Sequence, residues 1–208
     1  TAHDITKKNY ASVMFANGNP IKRDRIKEVV PFSQEEISLL WDNLHNIAFA
    51  DMILVGIYSG WRPQELAILK RADIDLENGT MKGGLKTDAG KNRIVPIHPL
   101  IKPLIKNRMQ ESSDLQSEYL FNDPNGQQGI YITYDKYRKR FEKVMNTLKL
   151  KHRPHETRHT FITKAKDCNM DEYVLKLIVG HAIEDITEKV YTHRTIEQLK
   201  TEMEKITK

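Results

Sequence analysis

Sulfur cross-links are the first thing this chain lacks. Its 208 residues include a single cysteine, Cys168. No intramolecular disulfide can form, and a cysteine-rich zinc module is excluded. Long apolar runs are missing too: no stretch approaches the ~18 residues a membrane helix needs. No signal peptide is legible at the N-terminus. The single cysteine fits a reducing cytosol, and a cytoplasmic setting with no membrane partner is expected. There is no internal repeat and no low-complexity tract. Negative charge is the minority sign, with 28 Asp and Glu against 33 Lys and Arg, a net charge of +5. That surplus favours an anionic partner. What remains is ordinary for a globular chain. Hydrophobic residues are 39% and charged residues 29%, enough apolar material for one large domain, or for one domain with an arm.

The hydrophobic pattern divides the chain. Residues 1–31 read as an arm or linker, containing NGNP and the charged run IKRDRIKE at 21–28. Ser33 with Glu36 three positions on is a capping box, so a helix starts there. Ile37, Leu40, Trp41 and Leu44 then recur at helical spacing. An apolar helix over 48–58 follows, and Gly60 is suited to end it. Pro63 fits a first helical turn, which puts Arg62 at a helix start. Over 73–97 the period changes to that of strands, with turns at Asn78-Gly79 and Asp88-Ala89-Gly90. A three-stranded antiparallel sheet is predicted. Beyond Pro99 the pattern is helical again, over 99–110, 132–147, 156–167, 171–179, 185–191 and 194–206. Asp171 serves as an N-cap and Gly180 as a stop. The predicted fold is mainly α with one small three-stranded antiparallel β-sheet. Its parts are the arm 1–31, a body 32–191 and a helical tail 192–208. The tail carries Ile196, Leu199, Met203 and Ile206 on one side. Trp41, Trp61 and the methionines are assigned to the core.

Several motifs carry chemistry. SGWRPQEL places Arg62 beside a glycine turn, with Glu65 three positions on. GLKTDAGKNRIVP sets Lys86 at a predicted hairpin tip, with Lys91 as fallback. PHETRHTF holds His155, Arg158 and His159; VGH and VYTH hold His181 and Tyr191, ten residues apart. A tyrosine hydroxyl has a pKa near ~10, so using its phenolate at neutral pH costs roughly 4 kcal/mol. A nucleophilic tyrosine therefore needs cations and a base nearby. Arginine stays charged and grips phosphate oxygens with a fork of donors. A lysine partly desolvated against DNA can protonate a leaving oxygen. Each residue also has a plainer reading: Tyr191 is one of eight tyrosines, and lone arginines and hairpin lysines mostly sit in solvated surface. The string His155-Glu156-Thr157-Arg158-His159 is also HExxH, the zinc-peptidase signature. Pro154 puts its first histidine at a helix start rather than mid-helix, and the HExxHxxGxxH extension is absent. The segment 136–153 is dense in cations: Lys136, Arg138, Lys139, Arg140, Lys143, Lys149, Lys151 and Arg153. A peptidase has no use for that density, whereas a DNA backbone does. His3, His45, His98, His152 and His193 have no spacing that argues for chemistry.

In order and setting, these five segments resemble the catalytic domain of the tyrosine recombinases, the phage and transposon integrase family, over 32–193. SGWRPQEL resembles TG-x-R-x-x-E-L, with Ser59 in place of the usual threonine. Lys86-Thr87 with Arg93-Ile94-Val95-Pro96 matches the hairpin lysine and R-x-V-P. PHETRHTF matches H-x-x-R-H, and GH-x9-YTH matches LGH…YTH. The resemblance implies Tyr191 as nucleophile forming a 3′-phosphotyrosyl link. It implies Arg62, Arg158, His155 and His181 around the phosphate, and Lys86 as proton donor to the 5′-oxygen. Glu65 and His159 are supporting residues. Lys136, Arg138, Lys139, Arg140, Lys151 and Arg153 are candidates for DNA contact. No cofactor and no metal are implied. Double-stranded DNA is the partner, with a monomer alone and a homo-tetramer on DNA. A bacterial or phage-encoded, nucleoid-associated protein is expected, as the C-terminal catalytic piece of a longer mobile-element integrase rather than a Xer-type resolvase. A type IB topoisomerase and a non-catalytic DNA-binding module are the neighbouring alternatives.

Overall fold

The computed structural model describes residues 29–85, 90–122, 132–182 and 194–208. Among these, helices dominate and one small sheet is inserted between them. The first helix, α1 (Gln34–Asp42), begins at the capping box: the Ser33 hydroxyl accepts from the Glu36 N–H, and the Glu36 carboxylate accepts from the Ser33 N–H. Four orphan N–H groups open any helix, and this reciprocal pair satisfies two of them. Ile37 and Leu40 turn inward.

The centre of the domain is α2 (Ala50–Ser59), buried at every residue but Asp51. A helix that is apolar all round belongs inside, and its neighbours must then come close. Gly56 shows how close α6 (Glu156–Asp167) comes: a Cβ there would lie 3.0 Å from Thr157 Oγ1. A left-handed Gly60, φ +66°, ends α2. Arg62 then caps the short α3 (Pro63–Ala67), with Pro63 at its first position.

The strands β1 (Ile74–Asp75), β2 (Thr80–Gly83) and β3 (Arg93–Pro96) form an antiparallel sheet in the order β1-β2-β3. Met81 pairs with Val95, and Gly83 with Arg93. Alternation puts Met81, Arg93 and Val95 inside while Lys82 and Ile94 face outward.

The helix expected over 99–110 is split. His98 caps a 3-10 turn, Pro99–Ile101, before α4 (Lys102–Asp114) begins. Pro99 and Pro103 supply no N–H, and a tight opening turn accommodates that. Arg108 of α4 grips both carboxylate oxygens of Asp51 on α2, at 2.5 and 2.8 Å. In α5 (Tyr134–Leu148), Tyr137, Phe141, Val144 and Met145 form the buried stripe and the charged residues the opposite face. Asp171 caps α7 (Glu172–Val179), and Gly180 ends it in the left-handed region at φ +66°.

The last helix, α8 (Ile196–Glu204), folds back on its own chain. Leu199, Met203 and Ile206 are buried in the common core. His98 Nε2 lies 2.7 Å from the Ile206 carbonyl, and the Glu202 carboxylate accepts from the Asp171 N–H. The expected helix over 185–191 lies outside the described residues. No helix among the described residues is long and apolar enough to cross a membrane.

Candidate active site

One buried carboxylate organises the site. Glu65, 3% exposed, sits in the first turn of α3 and faces two arginines. Its Oε1 is 3.1 Å from Arg62 Nη1 and its Oε2 is 2.6 Å from Arg93 Nη2. Its oxygens also accept from the backbone N–H groups of Leu85 and Arg62. Burial pushes this carboxyl up, but Arg93, the Leu85 N–H and Arg62 together outweigh it and hold it below the ordinary carboxylate value.

Arg93 is fully committed to scaffolding. Besides Glu65, it donates to the carbonyls of Ile178 and Gly90, and its guanidinium lies 4.1 Å from the Trp61 ring centroid. It thus ties the sheet, α3 and the end of α7 together. Strand alternation carries the signal for it: a charged residue on the same face as buried Val95 must have a partner inside. The sequence marks Arg93 only as part of R-x-V-P and gives no hint that Trp61 forms its floor.

Arg158 arrives from the first turns of α6 and is 3% exposed. It donates to the Gly60 carbonyl at 2.8 Å and to the Val179 carbonyl at 2.6 Å. Those carbonyls belong to the C-terminal ends of α2 and α7, where partial negative charge collects. Burial, then the like charges of Arg62 and Arg93, push its guanidinium down to about 9, with Glu65 opposing. It stays charged at neutral pH. Three guanidinium groups therefore crowd around one carboxylate, an arrangement left with excess positive charge. An anion placed among them relieves that repulsion.

His181 follows Gly180 directly, at the exposed rim. Desolvation, then Arg158 and Arg62, lower its pKa below the ordinary histidine value. The ring is thus neutral at neutral pH, able to accept or donate a hydrogen bond. Gly180 is required here twice over. Its φ of +66° disfavours L side chains, and a Cβ would lie 2.8 Å from Gly90 Cα.

His155 occupies the N-cap of α6 and is exposed; its ring packs edge-on against His159, centroids 5.6 Å apart. The Glu156 Oε2 accepts from the Arg153 N–H and lies 3.0 Å from His152 Nδ1. A zinc peptidase needs that glutamate beside the metal. Among the described residues, no trio of His, Cys, Asp or Glu could hold a metal ion. The residues do not fit the HExxH reading.

A profile of the phage integrase family matches residues 24–198. The chain belongs to that family. It is 27% identical to the tyrosine recombinase XerA of Pyrococcus furiosus, covering 89% of this chain and 65% of that protein. It is 28% identical to the transposase from transposon Tn916 of Enterococcus faecalis, covering 76% of this chain and 45% of the transposase. It therefore spans 45% to 65% of the length of these relatives. Among solved structures, the Tn1549 transposon integrase in complex with circular intermediate DNA matches with a TM-score of 0.65 at 22% identity, over 87% of this chain and 66% of that one. The XerA recombinase crystal structure also gives 0.65, at 23% identity over 88% and 65%. The fold is that of a tyrosine recombinase catalytic domain.

Within that family fold, Arg62, Glu65, Arg158 and His181 come together electrostatically, and His155 and His159 stand on the same helix as Arg158. Lys86 and Tyr191 lie outside the described residues. The α5 cations divide. Lys136, Arg138 and Lys139 are exposed, as are Lys151 and Arg153 in the connection to α6. Arg140 instead turns inward, donating to the Asn122 carbonyl and lying 4.4 Å from the Phe49 ring centroid.

Proposed function

We propose that this chain is the catalytic part of a site-specific DNA recombinase, a mobile-element integrase by its motifs, acting through a covalent tyrosine link. The observation that carries the reading is the cluster of Arg62, Arg93 and Arg158 around one carboxylate, with neutral His181 at its rim. Such a cluster suits a phosphate, whose equatorial oxygens gain charge in the transition state.

In the proposed reaction the Tyr191 oxygen attacks the scissile phosphorus. The bond from phosphorus to the 5′-oxygen breaks, leaving a 3′-phosphotyrosyl link. His155 takes the phenol proton, and Lys86 gives a proton to the departing 5′-oxygen. Arg62 and Arg158 hold the non-bridging oxygens, and His181 adds a hydrogen bond. A 5′-hydroxyl from a partner strand then reverses the step. One ester replaces another, so the link conserves the bond energy and no nucleotide hydrolysis is needed. Double-stranded DNA is the substrate, a homo-tetramer on DNA the working assembly, and the bacterial cytoplasm the setting.

The test is covalent trapping. The chain is incubated in EDTA with a pool of nicked suicide duplexes and run on a denaturing gel beside Tyr191→Phe. A slow-migrating protein–DNA adduct absent from the variant is expected. DNA binding without an adduct, in this chain and in a longer parent protein alike, would point to a module that binds without cutting.

A further inference from the structure

We propose that His152 is a positioning residue: its ring clamps the first turn of α6, and with it His155 and Arg158, against the start of α1. Nothing in its sequence spacing marks this histidine. Its side chain is nonetheless 3% exposed, and both ring nitrogens face carboxylates. Nδ1 is 3.0 Å from Glu156 Oε2, at the first position of α6. Nε2 is 3.0 Å from Glu36 Oε2, in the capping box of α1. A neutral imidazole has one N–H and one bare nitrogen, so it can donate to only one of the two. Only the charged ring donates to both carboxylates while these remain ionised, and such charge-assisted bonds are the stronger kind.

Phe32 stacks on the ring with centroids 3.8 Å apart and planes 20° from parallel, which fixes the plane of the imidazole. Both oxygens facing the ring are fixed from behind. Glu156 Oε2 accepts from the Arg153 N–H and Glu36 Oε2 from the Ser33 N–H. Parallel stitches join the same two elements: the Phe32 N–H donates to Thr160 Oγ1, and Lys164 Nζ donates to Gln34 Oε1. The clip therefore fastens the segment 32–36 to the turn that precedes His155 by three residues and Arg158 by six. Its catalytic consequence rests on the recombinase reading; its geometry does not.

The test has two arms on the full 208-residue chain. In the first, ring-nitrogen NMR of 15N-labelled protein should show a His152 ring N–H that exchanges slowly with water, as a hydrogen bond to a buried carboxylate requires. A ring N–H that exchanges as freely as that of an exposed histidine would overturn the clip. The second arm uses His152→Gln, which keeps one donor. Hydrogen exchange at the amides of Arg158 and His159, which bond to the His155 carbonyl, should quicken by about tenfold or more, as expected for a loosened local unit. Unchanged exchange would refute the positioning role.

The same variant should lose about ten- to a hundredfold in single-turnover capture of the nicked duplex, the scale of a slight misplacement of reacting groups. Its affinity for that duplex should stay unchanged. Glu36→Gln preserves the α1 cap, since glutamine also serves at that position. It should lose less, and adding it to His152→Gln should cost nothing further. Additive losses would mean the two residues act separately and would overturn the clip. If neither the unsubstituted chain nor a longer parent protein captures DNA, the recombinase reading fails, and spectrum and exchange decide the clip alone.

Discussion

Arg93 and Glu65 form a buried charge pair that holds separate elements together. The pair is nearly inaccessible, so neither partner can lose the other and fall back on water. Glu65→Ala should lower folding stability by about 3 to 5 kcal/mol, the cost of stranding a buried cation; urea unfolding measures it. His181 provides a second check. Its folded pKa lies below the ordinary value, so the unfolded chain binds the extra proton more readily. The resulting contribution to stability is complete above the ordinary histidine pKa and is lost as pH falls from there through the folded value. NMR titration should place the His181 midpoint below that of a model peptide, and Arg158→Ala should raise it. At this scale the sequence is legible where a motif names a residue, as for Arg62 and Arg158. It is silent where a role comes from packing across the fold: neither Trp61 under Arg93 nor His152 between two carboxylates has a local signature.

At the scale of elements, local chemistry speaks clearly. The Ser33–Glu36 capping box, Pro63 after Arg62, the Asp171 cap and the Gly60 and Gly180 stops all appear where side-chain preference puts them. Element boundaries drift where backbone donors are missing, as at Pro99 and Pro103, and no local rule foretells the short 3-10 turn. The glycine that ends α7 is a sharp test. Gly180→Ala forces a side chain into the left-handed region, at about 1 to 2 kcal/mol, and drives its Cβ toward Gly90. Stability should fall by at least that much in urea. DNA capture should fall further than stability does, because His181 is the next residue. Ser33→Ala, remote from the arginine cluster, should cost only about 1 kcal/mol and leave affinity for DNA unchanged.

Across the whole molecule, the cations of α5 and its following connection separate into two jobs. Lys139 is exposed, whereas Arg140 is wedged over Phe49 and bound to Asn122. Lys139→Ala should weaken DNA binding uniformly across sequences and reduce the salt slope by about one. Arg140→Ala should instead lower the unfolding midpoint through lost packing. Binding titrations between low and moderate salt, beside thermal melts, distinguish the two. The connections of Arg158 have a further consequence, one of timing. Its carbonyl partners lie 98 residues before it and 21 after it in the chain. Contacts of such separation form late, after the intervening chain has collapsed. During translation Arg158 emerges with Gly60 already made but Val179 still to come. A nascent or truncated chain ending before Val179 therefore carries every arginine of the cluster yet lacks one of the two carbonyls that seat Arg158. The arginine cluster can be completed only once Val179, at the end of α7, has been added to the chain.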